Sequence, residues 1–249
     1  MKLLLMADGE VGEKTLDYLA KYFSQDVALV AALPGSAVQQ RAHSARFPVI
    51  TFESNAQFIS AVGDLGLDTD FDLGVLAWWP KILSRQVLAL SRQGFINFHP
   101  SLLPYNRGKH YNFWAIVEEC PFGVTLHFVD EGVDTGDIVA QRSIGYDWCD
   151  TGETLYRKAQ TEIFDLFCEW YPRIRSGDIS RTAQDAGAGS FHKAAELEEA
   201  SRIDLDASYT ARDLINRLRA RTFEGYPGCY FLEDGEKYEV RVQIKKVKP

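Results

Sequence analysis

The stretch Leu73-Gly-Val-Leu-Ala-Trp-Trp79, then Ser84-Arg-Gln-Val-Leu-Ala-Leu-Ser91, then Phe95-Ile-Asn-Phe-His99 reads as strand, helix, strand. The outer runs are apolar and of strand length, and Ser84 is a good N-cap type for the polar-and-apolar run between them. Two buried strands joined through a helix form the repeating unit of a parallel sheet. Upstream the alternation continues, with strands expected at 2–7, 27–33 and 48–52 and helices at 12–23 and 56–65, the last capped by Asn55. Downstream of Phe122 the texture changes, because 123–129 and 138–144 alternate apolar and polar residues around a Gly- and Asp-rich turn. That pattern predicts a strand pair at one side of the sheet. A long helix is expected over 153–175, with Thr151 as N-cap and Ser176-Gly177-Asp178 as its stop. The fold class is therefore α/β, a doubly wound, Rossmann-like, mostly parallel sheet.

Residues 184–190, rich in Gly and Ala, read as a linker that divides a 1–190 catalytic domain from a 191–249 extension. The extension should hold a helix over 207–221 and a hairpin, strands 229–231 and 238–244, turning at Glu233-Asp234-Gly235.

Composition narrows the function. The chain has 249 residues, 46% of them hydrophobic, which is enough to bury a large core. The apolar start breaks at Asp8-Gly9, too soon for a signal peptide, and no run approaches the roughly 20 apolar residues of a membrane span. A formal net charge of −8 opposes a phosphate backbone, and the short basic end Lys245-Lys246-Val247-Lys248 does not offset it, so no nucleic-acid partner is expected. Cys120, Cys149, Cys168 and Cys229 stand far apart without metal-ligand spacing, so neither zinc nor a disulfide framework is indicated and a cytoplasmic location is expected. Gly9 and Gly12 lack the Gly-x-Gly-x-x-Gly pattern, and NAD is not indicated.

Chemistry concentrates in Gly94-Phe-Ile-Asn-Phe-His-Pro-Ser-Leu-Leu-Pro-Tyr-Asn-Arg-Gly108. On a strand, Asn97 and His99 share one face while Ile96 and Phe98 take the other, and Pro100 ends the pairing. Ligands bind at the carboxyl ends of such strands, although either side chain could equally serve only as a satisfied buried polar group. The second patch, Val129-Asp-Glu-Gly-Val-Asp-Thr-Gly-Asp137, lacks the order of a calcium loop, and no metal is expected there. If Asp134 faces His99, it would orient the ring and stabilise its protonated form. His127 reads mainly as a structural histidine near the site.

Asn97-Phe-His-Pro-Ser-Leu-Leu-Pro with Arg107-Gly108, then Gly123-Val-Thr-Leu-His-Phe-Val with Asp134-Thr-Gly-Asp137, resembles the folate-dependent formyltransferase family. The resemblance is strong over about 70–145. It implies that Asn97, His99 and Asp134 are the catalytic trio. It also implies that N10-formyltetrahydrofolate binds beside Leu76-Ala-Trp-Trp-Pro-Lys-Ile-Leu83, through Trp78, Trp79, Ile82 and Leu83, and beside the acidic turn, through Asp130 and Gly132. An amine attacking a formyl carbon makes an oxyanion, which an Asn amide and a protonated imidazole can both stabilise, and releases a proton that Asp134 or His99 can take.

The family's members formylate different amines. A tRNA acceptor fits poorly with an acidic chain that leaves only about 60 residues after the linker. The tail, with Phe223-Glu-Gly-Tyr-Pro-Gly228 before the hairpin, resembles that of sugar N-formyltransferases. The resemblance then implies a dTDP- or UDP-linked amino sugar for surface polysaccharide such as O-antigen, with Tyr226 stacking on the base and Lys81, Arg107 and His110 near the pyrophosphate, and a homodimer formed through the hairpin. Tyr226 could equally be part of an ordinary turn. The alternatives are a glycinamide ribonucleotide transformylase and a non-catalytic folate- or nucleotide-binding module.

Overall fold

The computed structural model describes residues 1–66, 70–185 and 187–247. Ala186 of the expected linker and Lys248 of the basic end lie outside the described residues. The elements run β1 (Leu3–Ala7), α1 (Gly9–Tyr22), β2 (Val27–Ala32), α2 (Ala37–Ser44), β3 (Val49–Thr51), α3 (Asn55–Asp64), β4 (Leu73–Ala77), α4 (Arg85–Leu88) and β5 (Phe95–His99). There follow β6 (Arg107–Gly108), α5 (Tyr111–Val117), β7 (Gly123–Phe128), β8 (Ile138–Ser143), α6 (Gly152–Ser176), β9 (Phe191–His192), α7 (Glu196–Ser201), α8 (Ala211–Arg221), β10 (Cys229–Glu233) and β11 (Glu236–Val240).

Seven strands form one sheet in the order β3-β2-β1-β4-β5-β7-β8. The first five are parallel, and β7 and β8 add antiparallel at the edge of β5, as the change of texture after Phe122 predicts. Period-2 alternation sends Leu3, Leu5 and Ala7 of β1 into a core shared with α1 and α6, and Leu4 and Met6 into a second core shared with α3. A parallel strand covered on both faces is apolar throughout, which is why β1 imitates a signal peptide. Chain order reverses between β1 and β4, and open sheets of this kind take their ligands at the carboxyl ends of such strands, here one strand from β5.

Caps account for several boundaries. Thr151 and Thr154 make a reciprocal capping box at the start of α6, and Gly177 ends it in the left-handed region. Ser54, not Asn55, caps α3: its hydroxyl accepts from Gln57 N–H. Asn55 is released from that role and binds Ile82 and Ser84 instead, donating to the Ile82 carbonyl (3.1 Å) and accepting from Ser84 N–H (3.0 Å). The strand expected over 73–79 stops at Ala77, because Trp78 turns left-handed at φ 61. The first helix starts at Gly9 rather than residue 12, and the one after Ser84 is a single turn. Helices α2, α5 and α7 have no counterpart among the expected elements. α5 lacks a side-chain cap and forms because Phe113, Ala115 and Ile116 are buried. α8 begins later than expected, at the Thr210 cap, and the hairpin strands pair Cys229–Glu233 with Glu236–Val240 across the two-residue turn Asp234-Gly235.

Candidate active site

β5 ends at His99, and antiparallel β7 sets Asn97 opposite His127 and His99 opposite Thr125. The loop from β7 to β8 then returns Asp134 over the same spot, in a left-handed conformation (φ 55) that aspartate tolerates better than most residues. Its Oδ2 lies 3.4 Å from His99 Nδ1 and accepts from Gly108 N–H at 2.9 Å, while its Oδ1 lies 3.6 Å from His127 Nε2. The contact between Asp134 and His99 expected from the sequence is present.

His99 is 4% exposed and faces an acceptor at each ring nitrogen, Asp134 at Nδ1 and the Asn106 carbonyl at Nε2 (3.2 Å). A neutral ring can donate to only one of them; an imidazolium satisfies both. Burial pushes the imidazole below its ordinary value, and the Asp134 charge works against that shift. Burial alone would raise Asp134, but the two imidazoles and the Gly108 N–H together hold its carboxyl well below the usual carboxylate range. The resting pair is thus a carboxylate beside a neutral ring that gains a second hydrogen bond when it takes a proton. His127 Nδ1 lies 2.8 Å from the Phe128 carbonyl, and its Nε2, which faces Asp134, lies 3.2 Å from Asn97 Nδ2. His127 is therefore part of the cluster as well as a satisfied buried group.

The two tryptophans part company. Trp79 joins the α3 side of the sheet, edge-on to Phe52 at 5.2 Å, with Leu83 and Val129 bordering the same core. Its indole Nε1 is buried without a partner. Trp78 faces the other core and meets Tyr156 of α6 at 5.6 Å. Ile82, beside Leu83, is 87% exposed, and Lys81 is exposed. Asp130 is engaged within its own turn, accepting from Gly132 N–H (3.0 Å) and the Thr135 hydroxyl (2.7 Å).

On the α6 side an aromatic row leads away from the centre: His99 to Tyr111 (6.3 Å), Tyr111 to Tyr156 (6.5 Å), Tyr156 to Phe223 (5.4 Å) and Phe223 to Tyr226 (4.8 Å). Tyr226 ends the row with 59% of its surface open. His110 starts α5, and burial first, then the charges of Arg221 and Lys109, lower its pKa. Arg107 turns toward the Ser190 carbonyl (3.5 Å). Sequence reasoning missed Asn106, Tyr111, Tyr156 and Arg221: Asn106 meets His99 through its backbone carbonyl, which no side-chain pattern marks, and Tyr156 and Arg221 arrive from elements far along the chain.

Comparison with known proteins gives the same address. Residues 2–169 match the formyl transferase family, and residues 196–246 match the N-formyltransferase dimerization C-terminal domain. Over 155 residues the chain is 33% identical to a dTDP-4-amino-4,6-dideoxyglucose formyltransferase of Mycobacterium tuberculosis, a match that spans 62% of this chain and 66% of that relative. The fold superposes with a TM-score of 0.81 on a sugar N-formyltransferase from a Shewanella species, 22% identical, over 100% of this chain and 99% of that one. It matches the formyltransferase PseJ of Anoxybacillus kamchatkensis, solved in complex with UDP-4,6-dideoxy-4-formamido-L-AltNAc and tetrahydrofolate, at 27% identity and a TM-score of 0.61, over 88% of this chain and 98% of that one. With the formyl transferase match covering the whole seven-stranded sheet and the dimerization match covering residues 196–246, the chain belongs to the formyl transferase family.

Proposed function

We propose that this protein transfers a formyl group from N10-formyltetrahydrofolate to the primary amine of a dTDP- or UDP-linked amino deoxysugar. It does so in the cytoplasm, as a homodimer, for a surface polysaccharide such as O-antigen, with the catalytic unit ending near residue 190. The observation that carries the reading is the Asp134 carboxylate set between His99 and His127 with the Asn97 amide beside them, at the carboxyl end of β5.

The folate supplies the formyl carbon on N10. The chain's own residues do the rest. The Asn97 N–H donates to the formyl oxygen as it gains charge, and a protonated His99 adds a second donor by exchanging the Asn106 carbonyl at Nε2 for that oxygen, each such donor contributing about 3–4 kcal/mol. As the new N–C bond forms and the C–N10 bond breaks, the proton leaving the amine is taken by Asp134, directly or through water, or by His99, and passes to N10. Protonated His99 is held by two acceptors, so the burial that keeps it neutral at rest does not trap it.

The residues fit the donor. Trp79, Leu83 and Val129 form an apolar border for a flat ring, and the orphaned Trp79 N–H is a donor that a polar ring edge would satisfy. The acceptor fits the opposite side, where the aromatic row ends in Tyr226 for the base and Lys109 and Arg221 bring positive charge beside the His110 ring for the diphosphate. The dimerization match over 196–246 and the half-exposed Leu232 and Tyr238 of the hairpin support a second copy as partner.

The test is turnover of N10-formyltetrahydrofolate with a panel of amines, followed by folate absorbance. Turnover with glycinamide ribonucleotide and none with any nucleotide amino sugar would sink the acceptor assignment. Folate binding without turnover of any amine would leave a binding module. Tyr226→Ala should raise the acceptor KM about five- to a hundredfold, the usual worth of one stacked base, while the folate KM stays put. An unchanged acceptor KM would remove Tyr226 from the base pocket.

A further inference from the structure

Between the two matched regions, Gln184 and residues 187–192 lie against the catalytic centre from two sides. Gln184 Nε2 donates to the backbone carbonyls of Asp134 (2.9 Å) and Gly136 (2.8 Å), bridging the turn that holds Asp134 in its left-handed conformation. Six residues on, the chain meets the other side of the site. Arg107 N–H donates to the Ser190 carbonyl and Lys109 N–H to the His192 carbonyl, both at 3.0 Å, which makes the β6·β9 ladder. The Ser190 hydroxyl accepts from Asn106 N–H (3.2 Å) and is within 2.9 Å of Glu118. Asn106 is the residue whose carbonyl faces His99 Nε2.

The fit is close enough to require glycine twice. A Cβ on Gly189 (φ +80) would lie 1.9 Å from the Pro104 carbonyl oxygen, and one on Gly108 (φ +91) 2.3 Å from that of His192. His192 anchors the far end, stacked on Trp114 at 3.9 Å between the carboxylates of Glu118 and Glu196. A linker that served only as a tether would have no need of these bonds.

We infer that Gln184 and residues 187–192 form a positioning belt for the catalytic centre, in which Gln184 sets Asp134 and Ser190, through Asn106, sets His99. This rests on the formyltransferase reading only for its kinetic consequence. The belt fixes a carboxylate and an imidazole that touch at 3.4 Å, a geometry in which a displacement of an ångström removes most of the benefit. It also makes the departure of the C-terminal unit continuous with the site, since β9 leads within a few residues to α7.

The test uses the full chain with Gln184→Met, close in size but without the amide donor, and Ser190→Ala as a smaller change should the first fail to fold. Imidazole 15N shifts of His99 are followed through a pH titration in wild type, Asp134→Asn, each belt variant, and the double variant Gln184→Met with Asp134→Asn. Asp134 supports protonation of His99, so Gln184→Met should lower the midpoint of His99 in the direction of Asp134→Asn, and should add nothing in the Asp134→Asn background. Ser190→Ala should displace the Nε2 shift of His99. With the acceptor found above, kcat of Gln184→Met should fall about 10- to 100-fold with the folate KM unchanged, as expected of displaced rather than deleted machinery. A His99 titration that superimposes on wild type in both belt variants overturns the proposal. Shifts as expected with no amine formylated would uphold the belt and overturn the functional reading instead.

Discussion

At His99, Asn97, His127 and Asp134 the polar groups find their partners within the protein, and the site is closed over by Asn106, Gly108 and the belt that grips them. The C-terminal hairpin is the reverse. Leu232 and Tyr238, which β10 and β11 hold out from the core, are 50% and 49% exposed, and Tyr226, just before β10, is 59% exposed. The first region is preorganised, with its alignment costs met during folding. The second leaves apolar surface to be covered when something binds. In the proposed enzyme those partners are the nucleotide and the second protomer, so the chemistry belongs to the rigid region and the choice of acceptor to the open one.

The largest effect that could break this division is the loss of His99. His99→Asn should lower kcat about a hundred- to ten-thousandfold, the range for a proton-transfer group, while folate affinity measured by fluorescence stays within twofold. A rate near wild type would mean that the carboxylate and imidazole pair is structural and that the division between the two regions is drawn in the wrong place.

Next come two glycines with the same backbone sign in the two regions. Gly108 (φ +91) is crowded by the His192 carbonyl, whereas Gly235 (φ +83) at the hairpin turn has nothing near its missing Cβ. Gly108→Ala adds a close contact to backbone strain and should cost about 2–5 kcal/mol in urea unfolding. Gly235→Ala meets strain alone and should cost about 1–2 kcal/mol. Equal losses would show that the belt gives way and that its contact with β6 is soft.

The sequence revealed the sheet because burial on both faces leaves strands such as Leu3–Ala7 apolar throughout, and it revealed the Asn97 and His99 pairing because alternation forces them onto one face. Asp134 is tied to that pair in the sequence by the resemblance and by electrostatic plausibility, since nothing in residues 129–137 says which strand end the turn covers. The resemblance implies a folate contact for both Trp78 and Trp79, and the structure sends the two to opposite sides of the sheet, as consecutive residues at a strand end face opposite ways. The segment 184–190 has the composition of a linker, yet Gln184 and Ser190 bond to the site, and hydrogen bonds between residues some 50 to 80 apart leave no periodic trace. For the same reason Ser54 and Asn55, both acceptable caps, could not be ranked without knowing that Ser84 lies beside Asn55.

The smallest effect is a slope. His99 and Asp134 both have folded values below their ordinary ones, 6.5 and 3.8, so in this window the unfolded chain binds more protons and stability rises with pH. The His99 contribution is fully present above 6.5 and is lost as pH falls toward its folded value; that of Asp134 is present above 3.8 and is lost below it. Asp134→Asn removes the second loss and, by deleting the charge that supports protonation, depresses His99 further. Urea midpoints from pH 8 to pH 3 should therefore fall less steeply below pH 4 in Asp134→Asn than in wild type, and no less steeply between pH 6.5 and 4. At the hairpin, Glu239 is also held low by Arg241, but both side chains are solvated, and Glu239→Gln should leave the curve within error. If Glu239→Gln changed the slope as much as Asp134→Asn, burial would not be what separates the catalytic centre from the hairpin.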